Sequence, residues 1–156
     1  MPLIRLLLLS LGLALSLPAS ARPGLFSPAQ GIADEGLLSV DEALQLLPAT
    51  RRQQELTLEW NIAPGYYLYR NQLRFEVLSP AGFRLAPPLL PAGEITMDAE
   101  FGRVEVYRGI LGARFVLPPG LKGALKLRVG YQGCADIGIC YPPQTRTVLI
   151  PAATKP

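Results

Sequence analysis

Two thiols near the end of the chain, Cys134 and Cys140, are its clearest candidates for chemistry. They stand in Gly133-Cys134-Ala135-Asp136-Ile137-Gly138-Ile139-Cys140-Tyr141-Pro142-Pro143. Joined, they would close a loop of seven residues, and such a bond is either an inert staple or a centre for thiol–disulfide exchange. The remaining composition removes most rivals. The 156 residues include no histidine, which excludes a Ser-His-Asp or Cys-His nucleophile and a histidine-containing zinc site. Two thiols cannot supply a four-thiolate cluster, so no metal and no separate cofactor is expected. A net charge of +3 gives a nucleic-acid partner little electrostatic support.

The compartment bears on the choice. Met1 to Ala21 reads as a secretory signal peptide. Arg5 supplies the positive start, Leu6 to Leu17 the apolar run, and Ala19-Ser20-Ala21 the small-x-small cleavage site. The run is shorter than the roughly 20 residues that span a bilayer. The chain from Arg22 onward then enters an oxidising space where disulfides persist. As a staple the pair is weak, since closing so short a loop contributes only roughly 2.4 kcal/mol by chain entropy. A structural bridge in an immunoglobulin sandwich instead joins cysteines far apart in sequence. On the other side, the loop contains no Lys or Arg to stabilise a thiolate, and Asp136 opposes one. Exchange here needs a partner's thiolate or a carboxylate as proton acceptor. On the residues alone, both readings stand.

The elements that must position the pair are short and turn-punctuated, with 16 Pro and 15 Gly in the chain. Arg22 to Leu38 reads as an extended lead-in. Ser39 and Glu42 fit a capping box, which predicts one or two helical turns over Ala43 to Leu47, or an irregular segment. From Glu55 the period becomes two. Leu56, Leu58 and Trp60 alternate with polar residues, as in a half-buried strand. Further strand candidates are Tyr66 to Arg70, Leu73 to Leu78, Phe83 to Leu85, Ile95 to Met97, Val104 to Tyr107, Arg114 to Leu117, Leu125 to Tyr131 and Thr145 to Ile150. About eight short strands at such intervals predict an all-β antiparallel sandwich. Trp60 and Phe75 fall on core positions. Pro151 to Pro156 reads as a linker-like tail.

Tyr131 to Asp136, Gly138 and Cys140 to Pro143 together resemble the active-site segment of the N-terminal periplasmic domain of the DsbD thiol:disulfide interchange family. Gly65-Tyr66-Tyr67-Leu68-Tyr69-Arg70 resembles the family's strand of tyrosines. Asp98-Ala99-Glu100-Phe101-Gly102, with Glu105 to Arg108, resembles its cap-loop region. The similarity runs from about Gly24 to Ile150. It implies an immunoglobulin-like β-sandwich over residues 22–150, located in the periplasm, with both cysteines at one end. It implies electrons received from a membrane-embedded domain by way of a thioredoxin-like domain of the same protein. They pass to thioredoxin-like partners: disulfide isomerases and the cytochrome c maturation thioredoxin.

By the same resemblance Cys140 forms the mixed disulfide with partners and Cys134 resolves it. Tyr67 and Tyr69 flank the pair, Asp98 accepts or relays a proton, and Asp136 and Ile139 belong to the surroundings. The chain departs from the family in the cap, where Glu100 replaces a customary aromatic residue. Phe101 is expected to take over the shielding by a one-residue shift, with Ile139 packed beneath. The family's membrane and thioredoxin-like domains have no counterpart in these 156 residues, so the electron source is open. Two rival readings are a non-catalytic secreted sandwich with a structural disulfide, and a ligand site built on the tyrosines with Arg70 and Arg74.

Overall fold

The computed structural model describes residues 36–153, so the signal-peptide reading and most of the lead-in lie outside the described residues. Within them every strand pairing is antiparallel. The strands are β1 Leu44–Leu46, β2 Thr50–Arg52, β3 Glu55–Ile62, β4 Tyr66–Tyr69, β5 Arg74–Ser79, β6 Glu94–Asp98, β7 Gly102–Tyr107, β8 Ile110–Val116, β9 Leu125–Tyr131, β10 Gly133–Ala135 and β11 Gln144–Ile150. They form three sheets. In the first, β3 pairs with β8 along its length and with β1 and β2. The second has the order β10-β4-β7-β6, and the third β11-β9-β5.

Alternation builds the core. Leu56, Leu58, Trp60 and Ile62 of β3 are buried, as are Leu111, Ala113 and Phe115 of β8. Leu125, Leu127, Val129 and Tyr131 of β9 face them. The first and third sheets meet through aromatic edges, with Trp60 and Tyr131 ring centres 5.8 Å apart and Phe75 and Phe115 5.0 Å apart. The expected core placement of Trp60 and Phe75 therefore holds.

Three expectations need correcting. The helix is a single turn, Val40–Ala43. The Ser39 amide and hydroxyl both donate to the Glu42 carboxylate, but Leu44 is drawn into β1 because its side chain is fully buried against β3. Phe83 to Leu85 form no strand; prolines at 80, 87, 88 and 91 remove the donors a ladder would need, and Leu89 alone bridges to Arg114. Finally, β10 lies inside the cysteine segment, which read as a loop. Beyond β11, residues 151–153 are irregular but tied down. Arg51 donates to the Pro151 carbonyl at 3.2 Å, and the Ala153 amide donates to Lys122 at 3.1 Å.

The second sheet has two working faces. Leu68 of β4, Tyr107 of β7 and Ala135 of β10 point into the main core. Tyr67, Tyr69, Val104, Val106 and Cys134 form a separate cluster on the opposite face. The strand period of two puts Tyr67 and Tyr69 together there.

Candidate functional site

Cys134 is directly opposite Tyr67 in the β10–β4 ladder and is fully buried. Cys140 lies across an isolated antiparallel bridge from it, and the two sulfurs are bonded. Unlike its partner, Cys140 is exposed. The loop between them is compact. The Ala135 amide donates to the Ile139 carbonyl at 2.8 Å, Gly138 to Ala135 at 3.0 Å, and Asp136 to Gly65 at 2.8 Å. Gly138 takes φ of 85°, a left-handed conformation that suits glycine. Just past the loop, the Tyr141 amide donates to Gly133 at 3.0 Å, and the Tyr141 ring stacks on Tyr66 at 6.2 Å. Burial is the main reason the Tyr141 hydroxyl is pushed up to about 12.

A polar pocket backs the sulfurs. The Tyr69 hydroxyl oxygen lies 3.1 Å from Cys134 Sγ and 4.0 Å from Cys140 Sγ. Its hydrogen goes to Asp98 Oδ2 at 2.5 Å, and Tyr67 donates to the same oxygen at 3.2 Å. Asp98 Oδ1 accepts the amides of Glu100 and Phe101, each at 2.9 Å. The cap turn is thus wrapped around the carboxylate that orders the tyrosines. The Tyr69 hydrogen bond is the main reason Asp98 is held below its usual range, and burial is the main reason Tyr67 and Tyr69 are pushed up. At neutral pH the pocket therefore contains an ionised carboxylate and two neutral phenols.

Phe101 sets its ring edge-on to Tyr69, with centres 5.2 Å apart, and both it, at 37 %, and Glu100 are exposed. Ile139 is half-buried, and Ile137 is 72 % exposed. Arg108, which entered the cap-loop resemblance without a role, sits at the cysteine loop. Its Nη2 lies 2.8 Å from Asp136 Oδ1, and its guanidinium carbon is 5.1 Å from the Tyr67 ring centre. The loop does lack its own cation, but β7 delivers one to Asp136. The signal was the pairing register: with Leu68 opposite Tyr107, residue 108 must fall beside Tyr67. Arg70 and Arg74 go elsewhere. Arg70 bonds Glu105 and Tyr107, and Arg74 bonds the carbonyls of Asn71 and Leu73.

A depressed carboxylate gives a pH signature. The contribution of Asp98 is complete above the ordinary aspartate value of 3.8 and is lost as pH falls through the lower folded value. The near-ultraviolet circular dichroism of the tyrosines should stay constant from neutral pH to about pH 4 and change below it. Asp98→Asn should remove that step.

The site is a disulfide between a buried and an exposed cysteine, set against a tyrosine–carboxylate pocket at one side of an antiparallel sandwich. Comparison with known proteins places it. A family model described as "Thiol:disulfide interchange protein DsbD, N-terminal" matches residues 34–152. The thiol:disulfide interchange protein DsbD of Cronobacter sakazakii is 44 % identical over 128 residues, covering 77 % of this chain and 22 % of that protein. DsbD 2 of Pseudomonas aeruginosa is 42 % identical over 147 residues, covering 93 % of this chain and 24 % of that protein. The crystal structure of the reduced Neisseria meningitidis DsbD N-terminal domain superimposes with a TM-score of 0.68 at 29 % identity, covering 77 % of this chain and 94 % of that one. The structure of the complex between the DsbD and PilB N-terminal domains from the same organism gives 0.64 at 29 % identity, covering 73 % and 87 %. The chain belongs to the DsbD N-terminal domain family, and its fold is the immunoglobulin-like sandwich which that membership implies. It spans about a quarter of the length of these curated relatives.

Proposed function

We propose that the domain is a periplasmic electron carrier that reduces the disulfides of thioredoxin-like proteins, with Cys140 as the attacking thiol and Cys134 as the resolving one. The observation that carries this is the asymmetry of the pair, Cys134 fully buried and Cys140 exposed. An incoming partner sulfur can reach only Cys140, and by reversibility the same sulfur attacks when electrons flow outward. The Cys140 thiolate bonds one partner sulfur and expels the other. Cys134 then attacks Cys140, closes the internal disulfide and releases the reduced partner. Two electrons leave with it.

The pocket suits this sequence. The hydrogen of Tyr69 is committed to Asp98, so its oxygen can accept a hydrogen bond from the Cys134 thiol, and during resolution Tyr69 passes its own proton to the Asp98 carboxylate as it takes the thiol proton. Phe101, whose ring packs on Tyr69, takes the shielding place in the cap in preference to Glu100. The upstream donors are the other domains of a DsbD-type protein, and the downstream acceptors are disulfide isomerases and the cytochrome c maturation thioredoxin. That a DsbD domain from Neisseria meningitidis is known both in its reduced form and in complex with PilB favours exchange over a staple.

Reduction separates the two readings. A seven-residue bridge contributes roughly 2.4 kcal/mol, against about 5–15 kcal/mol for a whole domain. Dithiothreitol should open Cys134–Cys140 while far-ultraviolet circular dichroism and cooperative melting persist. Cooperative unfolding on reduction would establish the staple instead.

A further inference from the structure

Arg108 makes contacts that the exchange chemistry above does not use. Besides Asp136 and the Tyr67 ring, its Nε lies 3.3 Å from Glu94 Oε2, and Nη1 donates to the Tyr66 carbonyl at 3.3 Å. One side chain thus ties the starts of β4 and β6 to the cysteine loop. The Arg108, Asp136 and Glu94 side chains are 36 %, 48 % and 60 % exposed, so the pairs add little to global stability. Their location matters more. Asp136 is the second residue after the buried Cys134, and it begins the stretch that must bring Cys140 back.

While the disulfide is closed, the bond itself fixes this stretch. During exchange the bond is open and Cys140 is joined to a partner. The contacts left to hold the loop are then its backbone hydrogen bonds and the Arg108 clasp, both present in the closed state. We propose that Arg108 is a positioning residue for resolution: through Asp136 and Tyr67 it keeps the loop seated so that Cys140 stays within reach of Cys134 while the bond between them is open. The inference rests on the exchange reading above. In the step concerned, the Cys134 thiol loses its proton and its sulfur bonds Cys140. The Cys140–partner bond breaks, and the partner sulfur leaves with the electron pair and takes up a proton. A loop held in place makes that attack intramolecular at high effective concentration, and loosening it slows the attack without touching the first one.

The test uses the reduced domain with one equivalent of dithiodipyridine, a neutral disulfide whose released thiopyridone is followed by absorbance. The first release reports attack by Cys140 and the second reports resolution by Cys134. In Arg108→Gln the first release should stay within about twofold and the second should slow about tenfold. Asp136→Asn should slow the second release similarly, and the double variant should be no slower than Arg108→Gln, because both changes remove one interaction. Arg108→Lys keeps the charge but not the planar fork, and should recover only part of the rate. Melting of the oxidised variants checks that they fold, and Asp136→Asn carries the test should Arg108→Gln fail to. An unchanged second release, equal slowing of both releases, or additive single effects would overturn the proposal. No second release from the parent domain would instead overturn the exchange reading itself.

Discussion

Replacing Cys140 with Ser should reduce the rate at which the domain reduces a thioredoxin-like disulfide by about three orders of magnitude or more, whereas Cys134→Ala should leave the first attack nearly intact. The difference follows from access. Cys134 is sealed beneath the β4–β10 ladder with Tyr69 over its sulfur, so it cannot substitute for Cys140 as the attacking group. Cys140 is exposed, and its loop ends in Gly138-Ile139 and leads into Tyr141. A Cys134→Ala domain attacks but cannot resolve, so each molecule should react once and stop. Stopped-flow measurement of partner reduction, single-turnover against multiple-turnover, separates the two defects. Equal loss in both variants would mean that both sulfurs contact the partner.

Gly133→Ala should lower the stability of the oxidised domain by about 3 kcal/mol, the largest loss expected from adding one methyl group. A Cβ at this position would lie 2.1 Å from the Tyr67 carbonyl oxygen and 2.9 Å from Leu44 Cδ1. The leucine methyl can swing away, but the carbonyl is backbone in the strand that pairs with β10, so the ladder must part. Cys134 is the next residue, and its burial depends on that pairing. Gly138→Ala is the control. Nothing lies within 4 Å of its would-be Cβ, and only the φ of 85° is unfavourable, so about 1 kcal/mol should be lost. Thermal unfolding of the two variants should rank them in that order.

The fold was legible where one face of a strand is buried. Leu125 to Tyr131 and Glu55 to Ile62 announce themselves by alternation, and both became central strands. Leu44 to Leu46 and Thr50 to Arg52 did not, because three-residue strands hold too few positions to show a period and exist only through pairing with β3. Phe83 to Leu85 looked like a strand by composition but had no neighbour to pair with. The site was legible in its residue types. Cys134, Cys140, Tyr67, Tyr69 and Asp98 do meet, with Tyr69 linking carboxylate to sulfur. What the residues alone hid was the unequal burial of the cysteines and the contacts of Arg108. Neither follows from local order: one depends on β10 burying Cys134, and the other on the β4–β7 register.

In the proposed exchange Cys140 forms a covalent bond with a thioredoxin-like partner and Cys134 breaks it. The most direct measurement is to mix reduced Cys134→Ala domain with an oxidised thioredoxin-like partner and map any mixed disulfide by mass spectrometry. A stable one-to-one adduct joined through Cys140, absent with Cys140→Ser, is the expected result. Failure to form an adduct, with the variant folded and its Cys140 thiol free, would contradict the proposed exchange.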